Sequence, residues 1–141
     1  MKNKILLLLM VFAFFYSNAQ EDKTYYPVSN NLKKSGELDK NGFPVGEWIF
    51  YLENGATDYK INFTTNFSKK YYETGELKEA GKFDPGTGDF INEKITYHKN
   101  GKIKVKGMYN NDGKKNGEFK TFFEDGTLVS CELFIEGVKQ N

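Results

Sequence analysis

The chain has 141 residues, room for one domain, and its 20 basic residues, all of them lysine, face 19 acids. So even a balance creates no long-range field for nucleic acid or an anionic membrane, and the lack of arginine removes planar bidentate recognition of phosphate, carboxylate or guanine. The single cysteine, Cys131, excludes an intramolecular disulfide, which leaves packing to hold the fold.

The first segment, MKNKILLLLMVFAFFYSNAQ, has the order of a secretory leader. Lys2 and Lys4 precede an uninterrupted apolar run of 12 residues, Ile5 to Tyr16. That run falls short of the roughly 20 residues a bilayer-spanning helix needs. Ser17 and Ala19 are the small residues a signal peptidase requires, so the sequence predicts a signal peptide over 1–19 and a mature domain over 20–141. The expected destination is the periplasm, or secretion to the cell surface. Without Lys2 and Lys4 the mature chain holds 18 lysines against 19 acids, a net charge near minus one, and its leader has no cysteine for a lipid anchor.

The rest repeats itself. Gly55, Gly75, Gly101 and Gly126 each have an aromatic four positions earlier (Tyr51, Tyr71, Tyr97, Phe122) and another eight positions later (Phe63, Phe83, Tyr109, Phe134). Between them recurs a glycine, an acid and an aromatic: Gly46-Glu47-Trp48, Gly88-Asp89-Phe90 and Gly117-Glu118-Phe119. A shift of 71 residues lays Tyr26 on Tyr97, Gly36 on Gly107, Trp48 on Phe119 and Gly55 on Gly126, and adds a fifth unit with Asn30 in the turn-glycine slot. Asparagine tolerates a left-handed backbone better than other non-glycine residues. Glu53-Asn54-Gly55, Lys99-Asn100-Gly101 and Glu124-Asp125-Gly126 predict two-residue type I′ hairpin turns. Beyond the leader no apolar stripe keeps a helical period. The expected fold is therefore all-β, an antiparallel meander of about ten short strands in five stacked hairpins, with repeats over about 25–137.

The aromatic, turn glycine and leucine or isoleucine, followed by Gly-acid-aromatic, resemble the bacterial variant of the MORN repeat, most clearly at VGEWIFYLENG and NGEFKTFFEDG. The resemblance implies an elongated sheet of stacked hairpins that serves as an interaction surface, usually without catalytic residues. Some members of that family are described as antitoxins of toxin–antitoxin pairs, others as exported repeat proteins. The chain departs from the pattern at INFTTNFSKKYY, which lacks the Gly-acid-aromatic element, and between Gly88 and Gly101, which is longer than the matching Gly46–Gly55 stretch.

Within a repeat, residues that recur build the unit and residues that break the pattern are free to do something else. Trp48 shares its slot with Phe90 and Phe119, so it belongs to the core. His98 stands where other units have Leu52, Tyr72 and Phe123, a half-buried strand position rather than a ligand or base. No second histidine or cysteine accompanies it, so no metal, cofactor or catalytic site is expected. Cys131, inside the last apolar strand, is expected to be buried. Val129, Cys131 and Leu133 fill offsets that carry lysine or other polar residues in the middle units. That strand therefore either packs beneath a curled sheet or forms an edge for a partner. The contact candidates are Tyr72, His98, Phe123, Val129 and Leu133.

The expected function is that of a non-enzymatic exported repeat protein binding another protein, such as a toxin or an envelope component, and not nucleic acid. A homodimer through the C-terminal edge strand is a second way to use that edge. The alternative is attachment to a membrane surface or cell-wall glycan through lysines and tyrosines on one face.

Overall fold

The computed structural model describes residues 19–141; the leader expected over 1–19 lies, apart from Ala19, outside the described residues. The strands are β1 (Gln20–Tyr25), β2 (Leu32–Leu38), β3 (Pro44–Tyr51), β4 (Thr57–Asn62), β5 (Phe67–Tyr71), β6 (Leu77–Phe83), β7 (Phe90–Tyr97), β8 (Ile103–Tyr109), β9 (Gly117–Phe122), β10 (Leu128–Ile135) and β11 (Val138–Lys139). They form one antiparallel sheet in strict chain order, with no helix among the described residues. The count is eleven rather than ten because β11, two residues long, folds back on the end of β10.

A meander sends alternate connections to opposite long margins of the sheet. One margin therefore collects all five repeat turns, 26–31, 52–56, 72–76, 98–102 and 123–127, in a row.

These turns differ from the type I′ form the sequence predicts. Leu52 N–H donates to Ala56 O at 2.8 Å and Gly55 N–H to Leu52 O at 2.9 Å, which makes a three-residue loop. A type I′ turn needs positive φ at both central residues. Here the glycines alone have it, at 88° for Gly55, 81° for Gly101 and 92° for Gly126. The preceding side chain explains the difference: Asn54 Oδ1 accepts from Ala56 N–H at 3.0 Å, Asn100 Oδ1 from Lys102 N–H at 3.0 Å and Asp125 Oδ1 from Thr127 N–H at 2.7 Å. Each thus caps the backbone two residues on, and the left-handed step is left to glycine. Two successive positive φ values do occur at Glu136 (49°) and Gly137 (86°), the tight turn into β11.

Asn30 takes the left-handed conformation expected of it, with φ 56°. The first loop is nevertheless one residue longer than the others, and Tyr25 pairs with Leu32 as Tyr97 pairs with Ile103. Tyr25, rather than Tyr26, is therefore the counterpart of Tyr97. The extra residue is accommodated in an exposed loop, where insertions cost least.

A single layer has no second sheet against which to bury a core, and only Trp48, Ala80, Phe119 and Phe134 are deeply buried hydrophobics among the described residues. The aromatics of the Gly-acid-aromatic elements are instead laid flat on glycines of the neighbouring strand. A methyl group placed on Gly36 would fall 2.2 Å from Trp48 Cδ2, on Gly81 2.8 Å from Phe90 Cδ1, and on Gly107 2.3 Å from Phe119 Cε1. Lysines cover the outer side of each ring: Lys34 Nζ lies 4.9 Å from the Trp48 centroid, Lys94 4.1 Å from Phe90 and Lys115 4.8 Å from Phe119.

Seating a ring on the sheet contributes the larger share of this stabilisation. Full burial of a large apolar side chain is worth about 1.5–3 kcal/mol, against about 0.5–1 kcal/mol for an exposed cation over a ring. Trp48 also donates from Nε1 to Glu37 O at 3.0 Å, so its polar edge is not left dry. The rings continue sideways into one another, Phe50 stacked on Tyr59 at 4.2 Å and Phe119 edge-on to Tyr109 at 5.4 Å and to Phe134 at 5.2 Å.

Replacing Gly107 by Ala should destabilise the fold by about 1–3 kcal/mol, the usual range for overpacking, because the added methyl evicts the Phe119 ring. In a Phe119→Ala background the same substitution should cost nothing, since alanine is otherwise easier than glycine to order in a strand. Chemical denaturation of the four proteins of this cycle gives the coupling. Equal cost in both backgrounds would mean that the ring does not rest on the glycine.

Candidate functional site

The five contact candidates fall on two structural features. Tyr72, His98 and Phe123 occupy the same slot, just beyond the strand on the margin of repeat turns. Tyr72 donates from its hydroxyl to Tyr97 O at 2.8 Å, and His98 donates from Nε2 to Phe122 O at 2.9 Å. Tyr26 does the same to Tyr51 O at 2.8 Å. The slot is therefore a clasp from one hairpin to the backbone of the next.

Leu52 has no polar atom for this, and at its hairpin Asn54 Nδ2 reaches Glu73 Oε1 at 2.6 Å instead. Phe123 closes the series with no further repeat hairpin to clasp, and it stands 58% exposed. Asparagines reinforce the row, Asn31 Nδ2 donating to Glu53 O and Asn100 Nδ2 to Glu124 O, each at 2.7 Å. Nothing in the spacing of a single repeat reveals the clasp. The signal is the recurrence of a hydrogen-bonding side chain, Tyr26, Tyr72 and His98, at three of the five repeat turns.

Val129 and Leu133 lie on β10, 46% and 47% exposed. The structure thus decides between the two fates of this strand, which is an open edge and does not pack beneath the sheet. Cys131, between them, is exposed, contrary to the burial expected of it. The reason is topological: a side chain on the outermost full-length strand of a single layer has a neighbour on one side only. Tyr72 and His98 are separated from this strand along the sheet order, whereas Phe123 sits at the turn leading into it.

Eleven large apolar side chains stand exposed among the described residues, and six of them, Phe123, Leu128, Val129, Leu133, Ile135 and Val138, fall between 123 and 138. They are thus concentrated at the C-terminal end of the sheet rather than scattered over it. The polar residues there pair locally. Lys139 Nζ lies 2.6 Å from Glu132 Oε1, and this hydrogen bond holds the Glu132 carboxyl below its ordinary range.

The remaining surface is shallow. A groove of about 270 Å³ is lined by Glu47, Lys60, Asn62, Thr65, Phe67 and Lys69. Lys60 and Lys69 stand directly opposite each other on β4 and β5, as do Lys106 and Lys120 on β8 and β9. Like charges so placed repel, and Glu47 and Glu118 each relieve one member of a pair, Lys60 at 3.4 Å and Lys120 at 2.7 Å. Among the described residues no three histidine, cysteine or carboxylate side chains converge as a metal site would require.

No curated protein and no solved structure matches the chain. The model of the MORN repeat variant family matches residues 92–111 and 115–136. Those two stretches take in most of the β7–β8 hairpin and all of the β9–β10 hairpin, including the Gly107–Phe119 seat and the turns at Gly101 and Gly126. The β3–β4 and β5–β6 hairpins reuse the same turn, and all three remaining hairpins reuse the same register shift beside it. The chain is accordingly a protein of repeated hairpins, of which residues 92–111 and 115–136 match the MORN repeat variant.

Proposed function

We propose that the chain is a non-enzymatic, exported repeat protein that binds another protein along its sheet, as an immunity-like or envelope-associated component. The observation that carries this is the apolar concentration at the C-terminal end, which includes Phe123, Val129 and Leu133. A single-layer sheet offers no enclosed pocket of the kind that shelters catalysis, but it gives a broad, preformed backbone platform, well suited to a macromolecular partner. Export rests on the leader pattern of residues 1–19 and would place the partner in the envelope or outside the cell.

Attachment to an anionic glycan or lipid surface is the second reading. It is favoured by the opposed pairs Lys60–Lys69 and Lys106–Lys120, which an anion would relieve. The two differ in salt dependence, since apolar contact survives high salt and lysine attachment does not.

Affinity capture of the tagged protein from the envelope fraction at high salt should retain one protein in stoichiometric amount. Alanine at Phe123, Val129 and Leu133 should weaken that capture at least tenfold. Undiminished capture by these variants, still folded, would remove the C-terminal end as the site. Salt-sensitive pelleting with vesicles or cell wall and no captured protein would instead support the lysine reading.

Tyr72→Phe should lower stability by about 1 kcal/mol, the usual net worth of one hydrogen bond, and leave capture unchanged. Normal stability with weakened capture would show Tyr72 to be a direct contact.

A further inference from the structure

We infer that the groove beside Phe67 binds a carboxylated sugar of an anionic glycan, with the sugar ring on Phe67 and its carboxylate between Lys69 and Lys82. This rests on glycan attachment through lysines and gives that attachment a site and a ligand class.

The groove lies where the repeat is broken on both faces of the sheet at once. Six positions beyond the turn residues Asn30, Gly75 and Gly101 stand Gly36, Gly81 and Gly107, the seats of Trp48, Phe90 and Phe119. The same step from Gly55 gives Ile61, and opposite it on β5 is Ser68, in the slot that holds Trp48 and Phe119 in other units. Seat and ring are thus missing together. The aromatic stands one residue earlier, at Phe67, and strand alternation puts it on the opposite face. Among the described residues Phe67 is neither seated on a glycine nor covered by a lysine, and it is 38% exposed.

The same shift removes an acid. Eight positions before the turn glycine the other units carry Glu47, Glu93 and Glu118, and Glu47 and Glu118 each pair with a lysine on this face. Phe67 takes that slot in β5. Lys69, two residues on, and Lys82, directly opposite Phe67 on β6, belong to none of the ion pairs among the described residues. Lys60 faces Lys69 across β4 and β5 and reaches Glu47 at 3.4 Å. Three lysines and one acid therefore surround Phe67, and negative charge is lacking where the repeat ordinarily supplies it. A ligand carboxylate there relieves the like-charge contact. Without arginine it is held as a point charge rather than by a planar fork.

The rest of the lining suits a sugar. Phe67 is the one apolar side chain among the lining residues, too little for an acyl chain but enough for one face of a sugar ring. Asn62 Oδ1 accepts from Thr65 N–H at 2.9 Å, which leaves the Asn62 amide NH2 to donate to sugar hydroxyls, while Glu47 accepts from them. A volume of about 270 Å³ is small for a ligand pocket and fits a sugar unit rather than a folded partner.

Titration of the purified protein with oligogalacturonate, followed by backbone amide chemical shifts, should move resonances of β4, β5 and the 63–66 loop saturably. Maltotriose, which is neutral, and oligoglutamate, which has the charge without the sugar, should bind more weakly. Phe67→Glu, which restores the acid of the other units, should fold like the parent and weaken oligogalacturonate binding by about tenfold or more, and Lys69→Gln should do likewise. Phe67→Ala gives the same reading should the glutamate variant fail to fold.

Shifts confined to other strands, or binding indifferent to these substitutions, would overturn the groove and leave attachment through lysines elsewhere standing. Equal binding of oligoglutamate would overturn the sugar as ligand, and equal binding of maltotriose would overturn the role of the carboxylate. Failure to bind oligogalacturonate would overturn the inference outright. Pelleting with cell wall or vesicles under the same conditions then shows whether attachment through lysines fails with it.

Discussion

The fold depends on an aromatic ring lying flat on a glycine of the next strand. In a two-layer protein a large apolar side chain is buried by the facing layer. Here there is none, so the ring must be buried against its own sheet, and that requires a position without a side chain. Gly36, Gly81 and Gly107 provide it for Trp48, Phe90 and Phe119. The usual cost of glycine in a strand, about 0.5–1 kcal/mol, is outweighed by the burial that it permits. Lysine stems then shield the outer side of the ring while keeping their charge in water.

The other regularities follow from the same constraint. Stacking each ring on the neighbouring strand fixes the register between hairpins. The repeat turns then line up along one margin and can be clasped to each other through Tyr26, Tyr72 and His98. The hairpin that lacks a Gly-acid-aromatic element, β5–β6, is also the one that its predecessor's slot residue, Leu52, does not clasp; Asn54 reaches across to Glu73 instead. The two ends of such a sheet are unlike each other, one charged at Glu21, Asp22 and Lys23 and the other apolar at Val129 and Leu133. An open sheet must manage both edges, and here one is charged while the other is covered in part by β11 and Gln140.

Much of this was legible in the sequence because a repeat aligns itself. The turn glycines, the slot shared by Trp48, Phe90 and Phe119, and the left-handed Asn30 could all be read by comparing copies. The turn type could not, since Asn-Gly fits both two- and three-residue loops and the choice lies with the Asn54 and Asn100 side-chain caps. Nor is the exposure of Cys131 legible from its apolar neighbours, because burial depends on the position of its strand in the sheet. The clasp was hidden because tyrosine and histidine have little in common in sequence beyond a donor that can reach a carbonyl about 25 residues away.

Backbone hydrogen exchange, resolved strand by strand, tests most directly whether the ring on glycine holds the sheet together. Amides shared by β2 and β3, by β6 and β7, and by β8 and β9 should exchange slowest, because opening these pairs unseats Trp48, Phe90 or Phe119. Those between β4 and β5, which have no such seat, should exchange faster than any other interior pair. Protection between β4 and β5 equal to that of the seated pairs would contradict the account.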